Sequence, residues 1–372
     1  MKKIICLLAT ALLFGCAAKT EITVAQQNFG KLTTGESVEQ YSLITPKIRV
    51  KAITYGGIIT NIEVPDKNGK WQDVVLGYDK LADYELKNRF FGALVGRFAN
   101  RIENGLAEID GKKVQLSINK APNQSHGGNK GFDKLIWQAT PEQTPNAAKL
   151  HLTLTSPDGA EGFPGELIMK VTYSATTNGE LIVEYAATSD KTTILNPTQH
   201  SYFNLSGSEQ SDVLAHKLQI NALQTIELKP DSLPTGRLIN VKNSALDFLE
   251  PKEIAEAINS NNPQIKLAKG LDHYFVQKQK RGELTEFAHL FDENSGRSLI
   301  VSTTEQGGQI YSANYLDGSV IGKNGTAYRP QQGICIETGQ FTNAPAQPEF
   351  KTYLLKPEQP YYSKTIFSFS AE

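Results

Sequence analysis

The chain is poor in cysteine: 3 occur in 372 residues, at positions 6, 16 and 335. The first two fall where a leader and its processing site are expected, so Cys335 has no partner and no intrachain disulfide is available. A stable core must come from apolar burial alone. The 9% aromatic content and many Val, Ile and Leu can supply it. Charge excess is lacking as well, with 38 Lys+Arg against 39 Asp+Glu and a net charge of -1. There is no Lys/Arg-rich tract with interleaved aromatics, so nothing points to nucleic acid or an acidic polymer as partner. Several familiar chemistries are missing too. The sequence holds no GxxxxGK, no GxGxxG after a strand, no HExxH, no CxxC and no GxSxG elbow. No short repeat and no Gly/Ser or Pro linker divides it.

What is there begins with Lys2 and Lys3 and an uncharged apolar run over residues 4–14. That run is too short to span a bilayer as a mature helix. It ends in Leu13-Phe14-Gly15-Cys16, which looks like a bacterial lipoprotein cleavage box. Gly15 suits the peptidase and Cys16 would carry the lipid, although Phe14 is bulkier than usual at its place. An ordinary signal peptide cut nearby is the alternative. Either way the expected address is the cell envelope, with a membrane anchor through Cys16. The expected organisation is a signal over residues 1–15, a polar tether over 16–29 and one domain over 30–372.

Within that domain, strands dominate. Residues 41–44 and 48–53 alternate apolar with polar. Gly56-Gly57 breaks the alternation, as a bend or close backbone approach would. Pro65-Asp66-Lys67-Asn68-Gly69-Lys70 is hairpin chemistry between two short runs. Leu150, Leu152 and Leu154 alternate with His151, Thr153 and Thr155. Residues 167–175 and 181–187 repeat the pattern around Thr177-Asn178-Gly179. Further strands are expected over 298–303, 309–315, 333–337 and 365–369. Only residues 81–86 and 251–258 invite short helices. The reading is all-β, a large antiparallel β-sandwich with few short helices and a site carried on its loops.

Five stretches look built for chemistry. His200 lies in Asn196-Pro197-Thr198-Gln199-His200-Ser201-Tyr202-Phe203, among amides, hydroxyls and rings; it is either a core histidine satisfied by neighbours or a proton carrier at a cleft wall. His126 precedes Gly127-Gly128, which permit a sharp turn. Glu337 ends an apolar strand and is either capped by backbone donors or aimed into a cleft, where desolvation raises its basicity. Arg97 and Arg101 are four apart without a matching acid; a structural ion pair is expected for Arg97 and a ligand contact for Arg101. Asp272 sits beside aromatics and is either a turn acid before a strand or a group suited to sugar hydroxyls. His126, His200 and Glu337 also have the composition of a two-His-one-carboxylate metal site, but the metal-free reading is preferred.

These stretches together resemble the aldose 1-epimerase (galactose mutarotase) family. The matching segments are GRFANRI (96–102), SHGG (125–128), GFDKLIW (131–137), SPDGAEGFPG (156–165), NPTQHSYFNLSG (196–207), LDHYF (271–275), GGQIYSANYLDG (307–318) and IETGQFTNAPAQPEF (336–350). The resemblance implies a β-sandwich with an open sugar cleft, an aldose as small-molecule partner and no cofactor. It implies Glu337 as general base and His200 as general acid, acting as carboxylate and imidazolium whose mutual attraction favours both charges. It further implies that Asn100, Arg101, His126, Asp272 and Gln309 bind the sugar, with Tyr202, Phe203 or Tyr274 as candidates to stack on it. Thr342-Asn343 and Gly307 depart from the family pattern at positions that shape loops. A non-catalytic sugar-binding lipoprotein and an epimerase for another sugar are the competing readings.

Overall fold

Alternation along the strands decides the architecture. In the computed structural model, which describes residues 21–372 except 88, 209, 348, 351 and 352, strand Ala147–Ser156 buries Leu150, Leu152 and Leu154 and turns Lys149, His151 and Thr153 outward. Its neighbours Leu167–Thr176 and Glu180–Ser189 do the same in register, with Leu152 opposite Val171 and Val171 opposite Tyr185. The turn between the last two is fastened by Thr176, whose Oγ accepts the backbone N–H of Asn178 and Glu180.

Three large antiparallel sheets result. A five-stranded meander runs in chain order through Thr23–Lys31, Ser37–Ile44, Arg49–Ile53, Ile59–Pro65 and Trp71–Asp73. A nine-stranded sheet contains the three long strands above and continues through Tyr361–Ala371, Arg297–Thr303 and Thr285–Asp292. A six-stranded sheet runs Tyr202–Phe203, Ile334–Gly339, Gly307–Tyr311, Asp272–Gln277, Ala222–Leu228, Pro234–Asn240. Their inward faces meet in one core, where Leu43 and Val50 join Leu152 and Val171 with Ile310, Ile334 and Ile336. The expected all-β sandwich is the observed one.

Some expectations need correction. The tether expected over 16–29 overlaps the first strand, Thr23–Lys31, which pairs along its length with Ser37–Ile44. Its polar composition reflects an edge strand whose side chains are mostly exposed. Residues 1–20, including the expected signal and Cys16, lie outside the described residues. The strand expected over 309–315 stops at Tyr311. A helix over Pro263–Ala268 was legible and missed: Pro263 opens it, and the Asn262 side chain caps it by accepting from Gln264 N.

Candidate active site

The six-stranded sheet forms one wall of a cleft. Along Ile334–Gly339, Ile334 and Ile336 enter the main core, so Cys335 and Glu337 face the other way. Glu337 stands directly opposite Gln309, and Tyr311 opposite Asp272. Gln309 Nε2 donates to Asp272 Oδ1 at 2.7 Å, and Arg101 Nη2 lies 3.6 Å from Asp272 Oδ2. The Asp272 carboxylate is thus oriented from two sides.

The second wall comes from the segments around Arg101 and His126. Arg101 pairs with Ser125 in a two-stranded ladder. His126 N donates to Asn100 O at 2.9 Å, and Asn100 N approaches His126 Nδ1 at 3.4 Å. The glycines after His126 are there for close approach, as expected. A Cβ on Gly127 would lie 1.8 Å from the Gly96 carbonyl oxygen, and its φ is +87°.

His200 closes the site. Its backbone is tied by His200 N to Ala93 O and by Gly92 N to His200 O, both at 3.0 Å. Its ring is held on three sides. Nε2 lies 3.5 Å from Glu337 Oε2, Nδ1 lies 3.6 Å from Cys335 Sγ, and Tyr202 stacks on it at 5.1 Å between centroids. The side chains of His200 and Glu337 are only 4% and 5% exposed. The cavity they border measures about 330 Å³, large enough for a small ligand.

Glu337, His200, Asn100, Arg101, His126 and Asp272 all line this cavity. Gln309 does not; it sits one layer back and acts on the cleft through Asp272. Of the rings considered for stacking, Tyr202 reaches the cavity, whereas Phe203 belongs to the main core and Tyr274 is buried with its hydroxyl donating to Gly339 O. Phe90, Tyr311 and Tyr315 were not anticipated and also line it. The tyrosines fall within GGQIYSANYLDG, a stretch already singled out; Phe90 carries no pattern in the sequence. Arg97 is structural, but its guanidinium donates to Ser156 Oγ and to the carbonyls of Ser156, Pro157 and Pro164. Carbonyl oxygens take the place of the expected ion pair.

Burial works against the expected charge state. Desolvation first, then the nearby Asp272 carboxylate, push the Glu337 carboxyl up to about 8, against a smaller opposing effect of Arg101. Desolvation pulls the His200 imidazole down to about 4, despite the pull of Asp272 in the other direction. His126 is held well below the usual imidazole range, first by burial and then by His200 and Arg101. Lost hydration is the largest influence on both Glu337 and His200. Both shifts favour one shared proton near neutrality and lean it toward Glu337. The donor atoms of His126, His200 and Glu337 all lie within 4.8 Å of one another. An ion held by these atoms would occupy the proton-transfer pair.

A β-sandwich with a buried carboxyl–imidazole pair facing an open polar cleft defines an acid–base enzyme for a hydroxyl-rich small molecule. The sequence model of the family "Aldose 1-epimerase" matches residues 39–368, and the chain belongs to that family. It is 40% identical over 350 residues to galactose mutarotase from Sus scrofa, covering 94% of this chain and 99% of that protein. It is 35% identical over 326 residues to aldose 1-epimerase from Escherichia coli (strain K12), covering 87% and 92%. Among solved structures, galactose 1-epimerase from Lactobacillus acidophilus NCFM superposes with a TM-score of 0.84 at 26% identity, covering 94% and 99%.

Proposed function

We propose that this protein interconverts the α and β anomers of free aldoses such as galactose and glucose, with Glu337 and His200 moving the protons. Family membership supports the reaction. The observation that carries the residue roles is the Nε2–Oε2 approach of 3.5 Å at the wall of the cleft. Asn100, Arg101, His126 and Asp272 surround that pair with hydrogen-bonding groups suited to sugar oxygens. Ring opening needs two transfers. The Glu337 carboxylate takes the C1 hydroxyl proton, and the His200 imidazolium gives one to the ring oxygen as the C1–O5 bond breaks. The aldehyde then turns about C1–C2 and closes from its other face with both transfers reversed. After opening, Glu337 carries a proton and His200 is neutral. Burial favours that same distribution before the sugar opens, so transfer of the shared proton from Glu337 to His200 across their 3.5 Å contact precedes ring opening.

A bell-shaped pH profile tests these roles. The pair must hold one proton in total, wherever it rests. Below about 4 both groups are protonated and no base remains; above about 8 both are deprotonated and no acid remains. After subtraction of the buffer-catalysed rate, kcat/KM should be flat between those limits and fall on either side. A profile with a single limb near 6.5 would assign the chemistry to an ordinary exposed imidazole instead.

The anchor is the second part of the proposal. A basic start, a short apolar run and Leu13-Phe14-Gly15-Cys16 support a lipid on Cys16 and a place in the cell envelope. In an expressing bacterium the wild type should then sediment with membranes and carry acyl mass, and Cys16→Ser should not be acylated. Wild-type protein that is free of lipid and membrane would refute the anchor while leaving the catalytic reading intact.

A further inference from the structure

Phe90 is out of place by ordinary rules. It is half-buried, it lines a polar cleft, and its φ is +62°. A bulky side chain in the left-handed region is locally unfavourable, and such residues collect at functional sites. Core packing does not account for it: Phe91, the next residue, takes that role against Tyr78, Tyr202 and Tyr328.

The surrounding turn shows what holds it. Ala93 N bonds back to Phe90 O at 3.1 Å, and Gly92 O accepts from Ile59 N at 2.8 Å. The same residues, Gly92 and Ala93, hold both backbone groups of His200. Phe90 and His200 are therefore fixed by one short segment. The Phe90 ring lies 4.5 Å from the His126 ring, tilted by 36°, and 5.9 Å from the His200 ring, nearly parallel to it at 26°. At those separations no sugar ring fits between Phe90 and either imidazole, so its contacts serve the histidines rather than a ligand between them.

We propose that Phe90 is a positioning residue, whose ring clamps the His126 and His200 imidazoles and keeps water off the cleft wall they form. This rests on the acid–base reading above and adds the element that maintains its dry environment. The ionisable groups facing His200 are Glu337 and Cys335 from one strand, Asp272 and Tyr311 from the next two, Tyr202 from its own segment, and His126 across the cleft. Arg101, Lys120 and Lys134 act on His126, and Lys134 Nζ stands 6.0 Å over the Phe90 ring. Phe90 is uncharged, so replacing it changes hydration and packing without removing any of these groups.

The test is a ring-nitrogen NMR titration of His126 and His200 without added sugar, set beside the pH profile of kcat and KM. Phe90→Gly suits the left-handed backbone and removes the ring, so its melting temperature should match the wild type. Its kcat should fall by roughly tenfold or more, as expected for loosened catalytic groups. The His200 titration and the acid limb should both move up toward 6.5, as water reaches the imidazole. Phe90→Tyr should restore all three. A Phe90→Gly protein whose histidines titrate as in the wild type overturns the clamp, including the case in which only KM rises. Were the wild type inactive on aldoses, the NMR titration would still decide the clamp, and only the functional reading would fall.

Discussion

Glu337→Gln should lower kcat/KM for galactose by roughly 10²- to 10⁴-fold, the usual worth of a positioned proton-transfer group, while the protein becomes more stable at neutral pH. Both effects follow from one buried carboxyl. Glutamine keeps the shape and can still hydrogen-bond, but it cannot take the C1 proton. The stability change follows from linkage. Glu337 titrates at 4.5 in its unperturbed state and at about 8 in the fold. The native state then binds more protons than the unfolded chain between those values, so stability is fully present below about 4.5 and is lost as pH rises through about 8. Glutamine has no such dependence. The stability gap between variant and wild type, read from their melting temperatures, should therefore open with rising pH, on the order of a few kcal/mol at its widest. A variant that loses activity and also melts early at pH 8 would instead make Glu337 a structural residue.

His200→Asn should cost a similar roughly 10²- to 10⁴-fold in kcat/KM. Asparagine retains a donor and removes the proton that must reach the ring oxygen. The informative comparison is with the double variant, Glu337→Gln with His200→Asn. Proton removal at C1 and proton delivery to the ring oxygen are halves of one opening event, so the two losses should not add. The double variant is expected to be about as slow as the slower single one. Losses that multiplied in full would mean two groups working independently, against the 3.5 Å contact between them.

Much of this was legible in the chain. Leu150, Leu152 and Leu154 marked a half-buried strand because a period of two has one meaning on a pleated sheet. The paired glycines at 56 and 57 did bend the chain, and those after His126 did mark a close approach. The site residues clustered because their segments are chemically odd for cores and for solvated surfaces alike. The rest depended on distance. The strand beginning at Thr23 is polar because its side chains face solvent at a sheet edge, and no local pattern separates that from a tether. Gln309 was expected on the sugar; cross-strand register sets it opposite Tyr274 and Glu337, where its amide donates to Asp272, a contact no local pattern announces. The cost of burial on Glu337 and His200 was not legible, because a sequence shows charges without their hydration. Phe90 was invisible because its role lies in a backbone angle and two ring contacts.

The most direct measurement is polarimetry on freshly dissolved α-D-galactose, with wild type and Glu337→Gln at equal concentration near pH 7. The account expects the wild type to speed the decay of rotation far beyond buffer and the variant to follow buffer closely. Wild type no faster than buffer would contradict anomer interconversion of galactose, and a variant as fast as wild type would remove Glu337 from the chemistry.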